Sequence, residues 1–501
     1  MSKPTAIEED ARDQSSASIH DSDIVAEAAS NATSGGGDDE AGPLNDDQTL
    51  TGAFVDSISE AIALDDHEKV KSLTEELHPA DLADLFGLLS SEERMALVAL
   101  LEGKLSPEVL AELDANLTEE IVTAMAPKAV AEAVAELDTD DAAFVLEDLD
   151  EEKRAEILAD VPVSDRLALH QAFDFEEDTA GRLMQREVFA APSYWNVGQI
   201  IDRMRGAEDL PDRFYEVFAI DAAFRPVGAV PLASLLRTPR NVTIEEIMTP
   251  DMRSVTVDMD QEDVAYLFEQ YNLISVPVVD ESERLVGMIT VDDVVEIVHE
   301  ETHEDMLALA GVEADTGLTD TVAETVRSRF SWLAINLGTA ILASVVISFF
   351  GAAIEQVVAL AVLMPIVASM GGNAGTQTLT VAVRNLATKD LTTSNAARII
   401  WREVIVGGVN GILFAVVVSV LVVIWYIMTT GNQPQAFQLG FVVGLAMVIN
   451  LLAAGLAGIL IPLGLQRAGA DPAVSSAVFV TTVTDVVGFF VFLGLAALVL
   501  L

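Results

Sequence analysis

One carboxylate stands deep in an otherwise apolar carboxy-terminal stretch: Asp485, in the run TTVTDVVGFF (Thr481 to Phe490). An ionised acid at membrane depth is costly unless it faces water, a partner charge or a passing ion, so its natural chemistry is that of a cation ligand; a protonated, merely tolerated acid is the alternative. Thr481 lies one helical turn earlier on the same face and adds an oxygen. A second segment, GGNAGTQ (Gly371 to Gln377), joins glycines that bare the backbone to Asn373 and Gln377 at i, i+4. Small-residue helix packing uses the same glycines, but beside a lone aspartate the polar face reads as a pore lining. A third segment, HEETHED (His299 to Asp305), satisfies H-E-x-x-H at His299, Glu300 and His303, a pattern of zinc ligands around a general base. It also crowds Glu300, Glu301, Glu304 and Asp305 onto neighbouring helical turns, a repulsion that a hard divalent cation would relieve through oxygen ligands and waters.

These segments lie in two unlike halves. The chain has 501 residues, 51% of them hydrophobic, yet carries a formal net charge of -53. A single uniform domain does not combine those properties. From Phe330 onward there are five acids and five bases, so the first 329 residues hold 75 acids against 22 bases and the whole net charge. Such a balance excludes nucleic acid as a partner, since phosphate binding needs basic patches, and favours a cationic one. With no cysteine there is no disulfide framework and no thiolate metal site. The start, MSKPTAIEEDARDQ, lacks the basic and apolar regions of a secretory signal, so the acidic half is expected to stay in the cytoplasm.

About 20 apolar residues cross a hydrocarbon core as a helix. Five stretches reach that length: Phe330 to Ile354, Gln356 to Val383, Val404 to Met428, Ala436 to Gln466 and Pro472 to Leu501. Five in succession argue for membrane spans over buried soluble helices. Arg384, Lys389, Arg398 and Arg402 cluster between the second and third, and Arg467 between the fourth and fifth. By the positive-inside rule those connections face the cytoplasm, which puts the amino terminus inside and the carboxyl terminus outside the cytoplasmic membrane.

Within the acidic half, residues 1–50 read as a disordered acidic tail. Over 51–180, helix-start signals (HPAD, SSEE, SPEV, TEE, APKA, DTDD, DEEK, VSDR) recur every ten to sixteen residues before amphipathic runs, which predicts a superhelix of short helices. Then VFAIDAAFRPVGAVPLASLL (Val217 to Leu236) and VPVVDESERLVGMITVDDVV (Val276 to Val295) repeat at an offset of 59, with Asp221 over Asp280, Arg225 over Arg284 and Gly228 over Gly287. Each unit reads as strand, tight turn, strand and helix. The pair resembles tandem CBS modules over 187–301, which implies a regulatory sensor. Intramembrane zinc proteases also carry CBS modules, but they need histidines within the membrane and a further ligand. Here H-E-x-x-H lies in a charged linker and no histidine follows His303, so no catalytic residue is assigned and the chain is not read as an enzyme.

In this order the elements closely resemble the MgtE family of magnesium channels and transporters. The motifs that carry the likeness are EEDTAGRLM (Glu176 to Met184), the CBS pair, the acidic connecting segment (302–329), GGNAGTQ and DPAVSSAVFVTTVTDVVGF (Asp471 to Phe489). The resemblance implies a multidomain membrane protein: a helical superhelix, an α/β CBS pair, a connecting helix and a five-helix pore domain (330–501), assembled as a homodimer with the pore on its axis. It implies that Asp485 is the selectivity carboxylate, with backbone carbonyls of Gly372 and Thr481, and polar Asn373, around a hydrated Mg²⁺. Regulatory Mg²⁺ would bind at Glu108, Asp140, Asp260, Glu262, Asp293, Glu296, Glu301, Glu304 and Asp305, closing the pore when cytosolic Mg²⁺ is high; the CBS pair would be the place for ATP. Asn272 and Phe144 stand where the family has sensing residues, which implies fewer or weaker regulatory ions, and Val478 replaces a proline often found before the pore aspartate. Passive flow through a channel is favoured over a proton- or sodium-coupled carrier, because no coupling residue is evident. The acidic excess beyond these positions, with only seven lysines among the 27 bases, suits a saline cytoplasm.

Overall fold

The computed structural model describes residues 42–45, 47–101, 105–206, 210, 211, 213–312, 322–392, 394–474 and 476–501. Most of the tail expected over 1–50 therefore lies outside the described residues.

Ten short helices, from Gly52–Ala63 to Val163–Ala172, make the amino-terminal domain. Their starts are written in the sequence. Ser90 forms a capping box with Glu93, Asp150 accepts from the backbone of Lys153 at 2.8 Å, and Pro79, Pro107 and Pro127 occupy first-turn positions where a missing N–H costs nothing. One expected start is displaced: TEE falls inside the helix Ala115–Ala124, which begins after Asp114, and the Thr118 hydroxyl donates back to the carbonyls of Leu113 and Asp114. Each helix turns one apolar stripe into a shared core that includes Ile58, Phe86, Leu117, Ile121, Leu146 and Ile157. Phe144 packs against that core, which accounts for an aromatic residue at this position.

The repeat becomes two three-stranded sheets, each with one parallel and one antiparallel pairing. In the first, β1 (Ala190–Pro192), β2 (Glu216–Ile220) and β3 (Pro226–Pro231) lie in that order; in the second, β4 (Val255–Thr256), β5 (Ser275–Val279) and β6 (Leu285–Thr290) do the same. The turns match in detail. Asp221 Oδ1 accepts from the N–H groups of Ala223 and Arg225, and Asp280 Oδ1 from those of Ser282 and Arg284. Phe224 and Glu283 take equivalent left-handed positions (φ 64° and 61°). At Gly287 an added Cβ would stand 2.6 Å from the Gln185 carbonyl oxygen and 2.8 Å from Met184 Sδ, and at Gly228 it would stand 2.9 Å from Thr249 O and Met248 Sδ. Both glycines let a returning segment pair closely with the sheet.

The helix after β6 does not stop at the module's edge. It runs from Val291 to Ala310, begins in a capping box between Thr290 and Asp293, and ends at Gly311 in the left-handed conformation (φ 72°). The connecting helix is thus the last helix of the second CBS module carried on by three turns; residues 313–321 of the expected 302–329 segment lie outside the described residues.

Five helices long and apolar enough to cross a membrane follow among the described residues: Val322–Ser348, Ala359–Ala387, Ala396–Thr430, Gln433–Arg467 and Ser476–Leu500. They overrun several of the apolar stretches read from sequence, because helix continues past the apolar core through residues such as Arg398 and Arg402. The fourth span is central, burying Leu439, Val442, Val443, Ala446, Met447 and Asn450, whereas the first is largely exposed on the single chain. The fifth is an unbroken helix at Val478, where no proline interrupts it.

Replacing Gly287 by alanine is expected to destabilise the second CBS module by roughly 1–3 kcal/mol, because backbone stands where the methyl must go. Thermal unfolding of the full-length protein, with Gly42→Ala at an open position as the control, measures it.

Candidate functional site

Spans two and five cross at their glycines. A Cβ on Gly372 would lie 4.0 Å from Thr481 Cγ2 and 4.0 Å from Thr484 Oγ1, and one on Gly375 would overlap Val480. Gly372 and Thr481 are therefore neighbours, and half-buried Asp485 follows Thr481 by one turn on the same helix. The carbonyls expected to face an ion are polarised from behind: Thr376 donates to Gly372 O at 3.0 Å, and Thr484 to Thr481 O at 2.9 Å. Asn373 is exposed on the protomer, in a polar stripe with Thr376, Gln377 and Thr380.

Asn450 was not singled out by the sequence. It is fully buried, and its Nδ2 donates to Val367 O at 2.9 Å. An added Cβ on either Gly371 or Gly488 would run into this amide, so the two glycines clasp it between spans two and five. The usable signal was an amide in the apolar run AMVINLLAAG (Ala446 to Gly455).

The regulatory candidates mostly meet along one line, the connecting helix. At its start, Asp293 approaches Asp140 and Asp141 of the helical domain. Burial, then Asp293 and Asp141, push Asp140 well above the carboxylate range, and its enclosed Oδ1 has no hydrogen-bond partner. Asp141 is raised to about 7 by burial and by Asp293, Asp138, Glu296 and Glu112. Asp293 is raised to about 6 by burial, partly offset by hydrogen bonds from Thr290. One turn on, Glu296 is raised by the loss of water and by Glu112, Asp293 and Asp114. Glu300 follows, pushed up to about 7 by desolvation, Asp178 and Glu301. Glu296 and Glu300 keep much of their surface open, yet each has other carboxylates near it.

Lower down, Glu301 accepts from Gln261 Nε2 at 2.8 Å and is raised by burial despite that bond. Glu262 reaches about 7 through desolvation, Glu301, Asp260 and Asp305, with Lys389 opposing. Asp260 also caps its own helix by accepting from Glu262 N at 2.9 Å. Asp305 is raised to about 6 by burial, Asp471 and Glu301. Asp471, on the loop before span five, thus joins the line although only its motif had been noted. Glu304 lies on the same helix, half-buried.

Two expected sensor positions stand apart. Glu108 accepts from Ser106 Oγ at 2.8 Å, and that bond, together with nearby Arg213, holds it below the usual range; Glu112, one turn later, enters the line instead. Asn272 is the left-handed C-cap of its helix (φ 51°), a conformation that asparagine adopts more readily than most residues. His299 and His303 are exposed on the connecting helix. Among the described residues, no group of three or more His, Asp or Glu side chains converges closely enough to hold a bare metal ion.

Three contacts lock this arrangement. Glu187 accepts from Thr139 Oγ1 at 2.8 Å, Arg182 pairs with Glu147 at 3.0 Å while stacking on Phe173, and Lys389, in the loop between spans two and three, pairs with Asp263 and lies 4.5 Å from the centre of the Tyr266 ring. At its far end the connecting helix buries Ala308 among Leu379, Val383, Ala473 and Val480 of spans two and five. The acidic seam therefore ends directly beneath the glycine crossing.

A five-span bundle with an intramembrane carboxylate, capped by an acidic soluble assembly, defines a membrane protein of the divalent-cation transporter class. Residues 364–495 match the MgtE family profile, described as a divalent cation transporter; residues 77–178 match the MgtE intracellular N domain, and 244–300 a CBS domain. The chain is 32% identical over 449 residues to the magnesium transporter MgtE of Thermus thermophilus, covering 89% of this chain and 98% of that one. It is also 32% identical over 330 residues to MgtE of Enterococcus faecalis, covering 66% and 71% of the two chains. Among solved structures, the cytosolic domain of the Mg²⁺ channel MgtE in complex with ATP is 31% identical, with a TM-score of 0.45, covering 48% of this chain and 99% of that one. The chain belongs to the MgtE family.

Each raised carboxyl holds its proton more tightly in this compact form than when the domains separate. Protonation therefore favours compaction, fully below the ordinary carboxyl range near pH 4 and decreasingly as pH rises through about 6 to 7. Spin labels on Glu132→Cys and Glu281→Cys of this cysteine-free chain are expected to give a narrow distance distribution in Mg²⁺-free buffer at about pH 5.5 and a broad one at about pH 8, restored by Mg²⁺. A distribution insensitive to both would contradict the electrostatic account.

Proposed function

We propose that the protein is a Mg²⁺ channel of the cytoplasmic membrane, working as a homodimer and closed by Mg²⁺ on the side of its soluble domains. The observation that carries this reading is the continuity of the carboxylate row with the membrane site: the helix bearing Asp293, Glu296, Glu301, Glu304 and Asp305 ends with Ala308 packed on spans two and five, beside the helices that carry Gly372 and Asp485.

In the pore, two Asp485 side chains, one from each protomer, would hold a hydrated ion together with the Gly372 and Thr481 carbonyls, while Asn373 faces its water shell. Mg²⁺ dehydrates reluctantly, so a site of carboxylates acting through water suits it. In the soluble half, Asp140 with Asp293, and Asp260 with Glu262 and Glu301, present charge that a divalent ion neutralises. Ions bind the compact form better than the separated one, and that difference in affinity sets the closed state. When the ions leave, repulsion along the row drives the domains apart and withdraws the connecting helix. Glu108 would serve at the edge of this row, on the short helix Pro107–Ala111 whose C-cap is Glu112. ATP, if bound, belongs at the CBS pair as the family resemblance implies.

The orientation follows the same contacts. Lys389 on the loop between spans two and three meets the CBS domain, and Asp471 on the loop between spans four and five meets the connecting helix, so both basic loops face the soluble half. That supports a cytoplasmic amino terminus and an external carboxyl terminus.

In proteoliposomes, Asp485→Ala is expected to abolish Mg²⁺ uptake, and uptake at the wild-type rate would refute the pore assignment. The double change Glu301→Gln with Asp305→Asn is expected to raise, by about tenfold, the Mg²⁺ needed on the soluble-domain side to halve the flux. Flux inhibited at the same concentration would remove these residues from the gate. Uptake that follows an imposed voltage and ignores an imposed pH gradient separates a channel from a proton-coupled carrier.

A further inference from the structure

Glu403 is a second acid inside the membrane domain, and the pore does not use it. It lies seven residues into the third span, about 10 Å along the helix from Ala396, and only 9% of it is exposed. Its two contacts are both long. Thr378 Oγ1 donates to it at 3.3 Å, and Arg402 Nε lies 3.5 Å away on a side chain that is 68% exposed. Charge-assisted bonds normally close to about 2.7–2.9 Å, so this enclosed carboxylate lacks a tight partner. Glu403 sits one residue before the apolar stretch that begins at Val404, at the soluble-domain edge of the span, where an enclosed carboxylate without a tight partner is costly.

Beside it is a cavity of about 260 Å³, lined by Gln377, Thr378, Arg402, Glu403, Asn410 and Gly455 among others. At roughly 30 Å³ per water, that is room for a small ion with its first water shell. The glycines keep the walls thin: a Cβ on Gly455 would press on Glu403 O at 3.1 Å, and one on Gly407 would stand 2.8 Å from Leu451 O. Apart from Arg402 at the rim, the polar lining offers oxygens: a carboxylate, a hydroxyl and two side-chain amides. No residue of span five contributes, so the cavity is separate from Asp485. Gln377 joins the two places, because it belongs to the exposed polar stripe of span two that begins beside Gly372 and continues toward Arg384.

We propose that the cavity around Glu403 is a second site for a hydrated divalent cation, in series with Asp485 and nearer the soluble domains. The inference rests on the passage of cations past Asp485. The Glu403 carboxylate, with the Thr378 hydroxyl and the amide oxygens of Gln377 and Asn410, would suit an ion of the Mg²⁺ class that keeps most of its water, the Arg402 guanidinium moving off Glu403 to admit it. Two sites in series let an ion leave the first as another arrives, a condition for selective conduction at useful rates.

Mn²⁺ is the probe. Crystals of the full-length protein soaked in Mn²⁺ are expected to show an anomalous peak in the cavity within about 5 Å of the Glu403 carboxylate, the reach of a water-mediated contact, alongside one at Asp485. Glu403→Gln should lose the first peak and keep the second, and in proteoliposomes it should raise the half-saturating Mg²⁺ about tenfold, with Glu403→Asp staying within about twofold. Should Glu403→Gln fail to fold, the wild-type map and Thr378→Val decide the matter. An empty cavity beside an occupied Asp485, or a lipid phosphate in the cavity, overturns the second site and leaves the channel standing. No Mn²⁺ at either place, with no Mg²⁺ uptake by the wild type, overturns both.

Discussion

Repulsion between carboxylates brought close together without counter-charge is the constraint around which the soluble half is built. Asp140 and Asp141 face Asp293, Glu112 and Asp114 face Glu296, and Glu262 faces Glu301 and Asp305; in each case burial and like charge act in the same direction. Acids this close do not remain ionised cheaply, so protons or cations would favour the compact form, and Lys389 beside Glu262 offsets only part of the repulsion. The remaining interdomain contacts are a few specific ones, such as Arg182 with Glu147 and Thr139 with Glu187, which set the register of the interface more than its strength.

The membrane half solves a different problem: approach without charge. Gly371, Gly372 and Gly375 on span two, and Gly488 on span five, remove the Cβ atoms that would hold the helices apart, and Asn450 fills the gap with a donor bonded to Val367. Its Oδ1 remains buried and without a partner, an arrangement that apolar surroundings penalise and that a bound water would satisfy. The Thr376 and Thr484 hydroxyls fold back onto their own helices, tying up Gly372 O and Thr481 O from one side while leaving each carbonyl a second lone pair.

Much of this was legible in the chain because it depends on periodicity and on residues with few alternatives. The apolar lengths gave the spans, the offset of 59 gave two sheets with matching Asx turns, and Ser90, Asp150 and the first-turn prolines marked helix starts. The TEE segment misled because Thr118 satisfies its hydroxyl within a helix that Asp114 had already begun. Glu108, Asp140, Asp260 and Glu262 came from the family resemblance, and spacing alone showed the acidic row only on the connecting helix. Its other wall is contributed by Asp141, Glu112, Asp178 and Asp471, which sequence separation hides, since nothing local to those residues says what they will face. Glu403 follows Arg402 directly in the chain, and only packing reveals that its carboxylate is enclosed while the Arg402 side chain stays largely exposed.

The helix from Val291 to Ala310 is regular, holds no glycine or proline, and grows directly out of β6, while its far end stops at a left-handed glycine. Twenty residues make a rod about 30 Å long, anchored in a sheet at one end and packed through Ala308 against spans two and five at the other. Such a rod amplifies: a tilt of roughly 10° at Thr290 carries Ala308 about 5 Å sideways, more than the depth of a side-chain contact. A small change in spacing between carboxylates near the fulcrum would thus be enlarged at the bundle, so one straight helix, rather than a chain of relayed contacts, links the seam at Asp293 to the packing at Ala308.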